Sequence, residues 1–324
     1  MEVQDGDRRG NVIGAGIAMI TLSLLSVGIR MATRIWIVLG TGLDDYLIVV
    51  ALIMANMSTI SSIIATKYGL GRHVVCQSSS MVKPYNQCLL VTSPSYSAAA
   101  AFIKLSLLAF YLRLSKEDRF RQCIYVMVVI TITFGTASIF VVALQCIPLS
   151  YLWDKTQPQN CVKLQDFYYA NAALNIVTDF TIYALPLPML WKLHLPIFQR
   201  VGLCFVLSMG ALVVFASFYR ISTLRLLVSS DDFTWNITTP VIWSAIELHI
   251  AIFASCMPAF KACSFHFFPH LLGSFTRNTN SLSQYNSKNT PRRHLFPLNT
   301  LPSHASTDVR PDINTTVVVR ERLV

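Results

Sequence analysis

The chain has 324 residues, 53% hydrophobic and only 13% charged, with a mean hydropathy of +0.52 and a formal net charge of +10. A soluble domain carries about 25% charged residues, so half the charge that keeps such a surface wet is missing. A soluble globular fold is excluded, and with it nucleic-acid binding, because the basic balance has no soluble surface on which to form a patch.

Seven long apolar runs account for the deficit, at 11–33, 46–66, 92–112, 124–147, 168–190, 201–222 and 239–260. Each approaches the roughly 20 residues a helix needs to cross about 30 Å of hydrocarbon. Within lipid every backbone donor and acceptor must be satisfied internally, which a helix does and a lone strand cannot. The expected fold class is therefore all-α, a multi-pass membrane protein with seven transmembrane helices. It divides into a short outer N-terminus (1–10), a transmembrane domain (11–262) and a cytoplasmic tail (263–324), interfacial at first and then disordered. The first run has no basic n-region or small-residue cleavage site, so it is expected to stay as a helix.

Basic residues set the orientation. With the N-terminus outside, sixteen fall on the cytoplasmic side, beginning with Arg30 and Arg34, and nine on the other; the last, Lys104, lies inside the third run. That bias predicts N-out, C-in. The first outer connection then holds Cys76 and Cys88, and the second runs "CIPLSYLWDKTQPQNC" from Cys146 to Cys161. Four cysteines on an oxidising side allow three connectivities; the favoured pairs are Cys146–Cys161 and Cys76–Cys88, against four free thiols. Between these connections "RLSKEDRFR" is a basic inner loop.

The fifth run, "NAALNIVTDFTIYALPLPMLWKL", places Asn171, Asn175 and Asp179 four residues apart, on one stripe of a helix. Ionisable groups at membrane depth cost about 2.5–3.5 kcal/mol each, so they turn inward and pair. The inventory is Lys104, Asp179, Arg220 and Glu247. At 1.5 Å per residue Lys104 lies about 18 Å into its helix and Asp179 about 16 Å into its own, while Arg220 and Glu247 both lie about 10 Å below the outer face. Two pairs are expected, Lys104–Asp179 and Arg220–Glu247. These residues form a polar network that serves either as structural glue between helices or as part of a ligand or ion pathway. Pro186 and Pro188 end the fifth helix.

Asn236-Ile-Thr is a glycosylation sequon on the outer side, too near the bilayer to favour use; Asn56 lies in a helix and Asn314 in the tail. Cys263 follows the last run and offers a palmitoylation site or a buried thiol. The segment beyond about 275 is rich in Ser, Asn and Thr without apolar periodicity, which predicts disorder. No zinc-like spacing, phosphate loop or nucleophile triad is present in the sequence, so no metal is expected and an enzyme is the least favoured reading.

Several spaced stretches together resemble the fungal rhodopsin-like seven-helix family, which includes pathogenicity-related receptor-like proteins and the satratoxin-cluster membrane protein. They are "LGTGLDDYLIVVA" with Leu43, Asp44 and Asp45; "KYGLGRH" at 67–73; "FIKLSLLAFYLRL" with Lys104, Ser106, Tyr111 and Arg113; the Cys146 to Cys161 loop; "NIVTDFTIYALPLPMLWKLHLP"; and "WSAIELHIAIFASCMPAFK" with Trp243, Glu247, Cys256 and Pro258. The resemblance implies the fold, and function only loosely. Retinal is not expected, because a Schiff base needs a lysine midway down the seventh helix, where Glu247 stands; no other cofactor is implied. Three functions are open. One is an accessory membrane component of a secondary-metabolite pathway handling a lipophilic small molecule. Another is a receptor-like sensor signalling to a cytoplasmic partner, and the last an intramembrane enzyme using Asp179 or Glu247.

Overall fold

A computed structural model of the chain describes residues 7–73, 79–114, 117–146, 161, 164–186, 214–219, 222 and 233–267. Helix α1 (Arg9–Ala32) runs on into a π-helical turn, Thr33–Ile37; α2 (Leu43–Ala65) ends in a 3-10 turn, Thr66–Tyr68. Then follow α3 (Ser79–Leu114), α4 (Asp118–Ala143), α5 (Leu164–Ala184), a helical stretch at 214–219, the single turn α6 (Phe233–Asn236) and α7 (Thr238–Phe267). Among the described residues five helical spans are long and apolar enough to cross a membrane: Arg9–Ile37, Leu43–Tyr68, Ser80–Leu114, Asp118–Ala143 and Thr238–Phe260. Helix α5, at 21 residues, has a comparable length but carries the Asn171–Asp179 stripe.

The distribution of side chains is that of a protein solvated by lipid. Leu25 and Phe140 are each 66% exposed, while Ser23, Thr238 and His249 are 0% exposed. Hydrocarbon removes the penalty for outward Leu and Phe and sends polar groups inward, where they need partners. The core is correspondingly small-grained. Ala51, Ala55 and Ala99 are fully buried with Ile48 and Ile252, which lets the helix backbones approach closely.

Helix α3 begins at Ser79, well before the apolar run at 92–112 that marks it in the sequence. Its 36 residues span about 54 Å, more than the hydrocarbon needs. The added turns carry Tyr85, which is 4% exposed and packs with Val12, Ala65 and Leu70 at the α1 start and α2 end. Cys88 therefore lies on a helix rather than in a loop. The expected Cys76–Cys88 bridge is not formed: Cys88 is a free, half-buried thiol packed against that apolar cluster, and Cys76 lies outside the described residues. Cys146 and Cys161 do form a disulfide.

Pro94 interrupts the α3 hydrogen-bond ladder, and hydroxyls crowd around the break. Ser58 of α2 donates to the Thr92 carbonyl at 3.1 Å and Ser61 donates to the Cys88 carbonyl at 2.9 Å. These bonds tie α2 to α3 on either side of the Leu90 carbonyl, the one that Pro94 leaves without its helical donor.

The "KYGLGRH" stretch closes the C-terminal end of α2. Gly69 takes φ 115°, which a side chain resists, and the Leu70 amide donates back to the Ala65 carbonyl. His73 stacks on Trp235 at 4.4 Å, and the Arg8 guanidinium lies 4.3 Å from the same indole ring. Asn236 ends α6, and Thr238 of its sequon is fully buried at the start of α7. Helix α5 ends at Ala184, followed by a turn at Leu185–Pro186, as its prolines require. Helix α7 continues to Phe267, past the expected end at 260, so Cys263 sits in its last turns. Residues 147–160, 187–213 and the tail from 268 lie outside the described residues.

Gly135 of α4 marks a close helix crossing: a Cβ there would come within 2.9 Å of the Ala101 Cβ, whereas Gly14 on the lipid face has nothing within 4 Å. Gly135→Val is expected to destabilise the detergent-solubilised protein by about 1–3 kcal/mol and Gly14→Val to leave its melting temperature unchanged. Equal melting temperatures for the two variants would contradict this packing.

Candidate functional site

Two buried polar centres and one bridging imidazole organise the bundle. The first centre lies at mid-depth between α3, α4 and α5. Lys104 of α3 donates to Thr178 Oγ1 at 2.7 Å and to Asn175 Oδ1 at 3.0 Å, and its Nζ lies 3.2 Å from Asp179 Oδ1. Asn175 in turn donates to the Asn171 carbonyl at 3.0 Å, and Asn171 Oδ1 accepts from Ser138 of α4 at 2.9 Å. All three members of the four-residue stripe thus face inward, and Lys104 reaches two of them. Snorkelling is the alternative for this lysine, but its side chain is 7% exposed and its ammonium is ringed by oxygens.

Glu247 of α7 stands across a cavity from this pair. It accepts from Tyr96 of α3 at 3.1 Å and from Ser217 at 2.8 Å. Arg220, its expected partner, lies outside the described residues. The cavity, about 20 Å³, is bordered by Lys104, Asn175, Asp179, Tyr183 and Glu247, and a second of about 10 Å³ lies against Thr131, Ser138 and Asn171. These volumes match one or two water molecules, far below the several hundred Å³ of a small-molecule pocket.

The second centre joins the end of α1 to the start of α2. Arg30 is 2% exposed and three of its nitrogens are committed: Nε to Asp45 at 2.8 Å, Nη2 to Asp44 at 2.6 Å, and Nη1 to the Ser255 carbonyl of α7 at 2.5 Å. Arg34 Nη2 adds a bond to Asp44 at 3.3 Å, and Arg113 of α3 approaches Asp44 at 3.9 Å. Ser106 of α3 donates to the Asp44 carbonyl at 2.7 Å, and Asp45 caps its own helix by accepting from the Gly42 amide at 3.0 Å. Arg30 and Arg34, which the sequence reading used only in the count of basic residues that sets the orientation, are buried ion-pair partners. The signal was present as Arg30 and Arg34 one turn apart, followed by Asp44-Asp45 across a short loop.

The imidazole is His249 of α7, which sequence reasoning missed. Its Nδ1 lies 2.8 Å from Ser23 of α1 and its Nε2 3.0 Å from Thr59 of α2. Among the described residues no three His, Cys, Asp or Glu side chains converge as metal ligands would. The geometry locks six helices, α1 to α5 and α7, through opposite charges and shared hydroxyls; the mid-depth carboxylates Asp179 and Glu247 are ion-paired or hydrogen-bonded.

Comparison with known proteins places this architecture. The fungal rhodopsin domain model matches residues 29–265. A SAT4 family membrane protein of Emericella nidulans is 28% identical over 227 residues, 68% of this chain and 58% of the relative. A receptor of Arthrobotrys oligospora, Receptor GIN3, is 23% identical over 83% of this chain and 68% of its own length. Satratoxin biosynthesis SC1 cluster protein 4 of Stachybotrys chartarum is 27% identical over 52% of this chain and 61% of its own length. The chain thus spans about three-fifths of the length of the first and last of these.

The mid-depth pair is open to a direct test. Lys104→Met should lower the melting temperature in nanodiscs, by the equivalent of about 3–5 kcal/mol, since it leaves a buried carboxylate without its cation. Lys104→Met combined with Asp179→Leu should recover most of that loss. A double variant no more stable than Lys104→Met alone would contradict the pairing.

Proposed function

The chain belongs to the fungal rhodopsin domain family, and we propose that it is an accessory membrane component of a secondary-metabolite pathway, working without retinal on a lipophilic intermediate. The observation that carries this reading is the kinship with a protein named for a satratoxin biosynthesis cluster. The bundle supports it in two ways. Its outer surface is apolar along α1, α2 and α4, so a lipophilic molecule meets it from within the bilayer. Its mid-depth carboxylates are engaged, Asp179 by Lys104 and Glu247 by Tyr96 and Ser217, which favours a positioning or carrier role over acid–base catalysis by either group. In this proposal the chain crosses seven times with its N-terminus outside; α5 and the helical stretch at 214–219 then belong to two crossings beside the five long spans.

A receptor-like sensor is the second reading, favoured by the 83% of this chain that aligns with Receptor GIN3. Ligand-induced change would then pass through the α1–α2–α7 ion cluster to a cytoplasmic partner.

Deleting the gene in its native host and profiling metabolites under inducing conditions separates the two. A pathway component predicts loss of an end product with accumulation of an apolar precursor. An unchanged profile together with a lost transcriptional response to an added small molecule would replace it with the sensor.

A further inference from the structure

We infer that Arg34 and Arg113 form a binding site for a phosphate group presented at the membrane surface, the headgroup of an anionic phospholipid. The ion cluster has more donors than its two carboxylates can satisfy. Arg30 occupies Asp45 Oδ1 and Asp44 Oδ2 at 2.8 and 2.6 Å, and Asp45 Oδ2 is taken by the Gly42 amide. Arg34 is left with one long bond to Asp44. Its Nε lies 3.4 Å from Asp45 without hydrogen-bond geometry, buried and making no hydrogen bond. Arg113 is held still more loosely, 3.9 Å from the other Asp44 oxygen, and is 41% exposed. Among the described residues, three guanidinium groups face two carboxylates, an excess of one positive charge, and the two under-used arginines flank Asp44 from the π-helical turn after α1 and from α3.

The surroundings specify a ligand in the bilayer. The α1–α2 connection presents Trp36, Leu39 and Leu43 outward at 79%, 82% and 77% exposure. Leu39 holds a left-handed backbone, φ 52°, which a leucine resists by about 1–2 kcal/mol. That conformation is kept by the Gly40 amide bonding back to the Arg34 carbonyl at 3.2 Å, so the same turn that orients Arg34 turns a leucine outward. Apolar side chains of this kind seat in the acyl region, while indole rings sit at headgroup level. Guanidinium pairs match phosphate oxygens in geometry as well as charge, and basic pockets between helices at a membrane surface take anionic headgroups.

The test compares full-length protein in phosphatidylcholine nanodiscs with and without phosphatidic acid, and in phosphatidylcholine nanodiscs with inorganic phosphate. Melting temperature and native mass spectrometry are the readouts. The expected result is a rise of several degrees and one retained phosphatidic acid, both absent in Arg113→Gln, whose partly exposed side chain can be changed without opening the Arg30 core. A matching rise with inorganic phosphate alone, also lost in Arg113→Gln, would keep the arginine pair as a phosphate site but overturn the lipid as its source. Equal lipid retention by Arg113→Gln, or no shift with either anion, would overturn the site itself.

Discussion

A guanidinium buried where it cannot reach water is the constraint on which this bundle depends. Arg30 lies at 2% exposure, and an arginine in that position is tolerable only if its donors are met. Asp44, Asp45 and the Ser255 carbonyl meet them, and each comes from a helix that must therefore stay in register with α1. Helix α3 joins through Ser106, which donates to the Asp44 backbone. The π-helical turn at Thr33–Ile37 belongs to the same arrangement. Its wider winding, marked by the Val38 amide bonding to the Thr33 carbonyl, lets Arg34 address the carboxylates already bound by Arg30.

The mid-depth centre follows the same rule with different parts. Lys104 is neutralised by Asp179 and solvated by an amide and a hydroxyl of α5, so an ammonium is ringed by protein oxygens in place of water. Small residues make such contacts possible. Gly135 brings α4 against Ala101 of α3, close enough for Ser138 to reach Asn171. Charge satisfaction and backbone proximity are one design here, because a polar side chain can bond across a helix interface only where its neighbours are small.

Much of this is legible in the sequence. Hydropathy identifies the lipid solvent, the helical class and the elements seen as α1 to α5 and α7, because a run of about twenty apolar residues suits a membrane span and little else. The four-residue stripe of Asn171, Asn175 and Asp179 and the matching depth of Lys104 point to one pair that the structure forms. Positional reasoning fails where residues lie outside apolar runs. The early turns of α3, "SSMVKPYNQC", are rich in polar residues and carry a proline, so Cys88 reads as a loop cysteine. The ion pairs of Arg30 and Arg34 go unread because a count of basic residues by side does not register carboxylates ten or more residues further on. His249 gives no periodic signal at all: its role exists only because Ser23 and Thr59, from two other helices, meet at one point. The family resemblance does carry Asp44 and Asp45, but as a motif without a reason; the ion cluster supplies the reason.

Function is tied to this architecture through what it leaves accessible. The mid-depth carboxylates are engaged by neighbouring side chains and the two cavities beside them are water-sized, which leaves the lipid-facing surface and the helix ends as the accessible parts of the described bundle. The most direct test of the account is the unfolding stability of Arg30→Met beside the variant that also carries Asp44→Asn and Asp45→Asn. A cluster that holds the helices together makes the single variant unfold far below the parent, with the neutralised triple variant regaining part of the loss. Parent-like stability of Arg30→Met would contradict it.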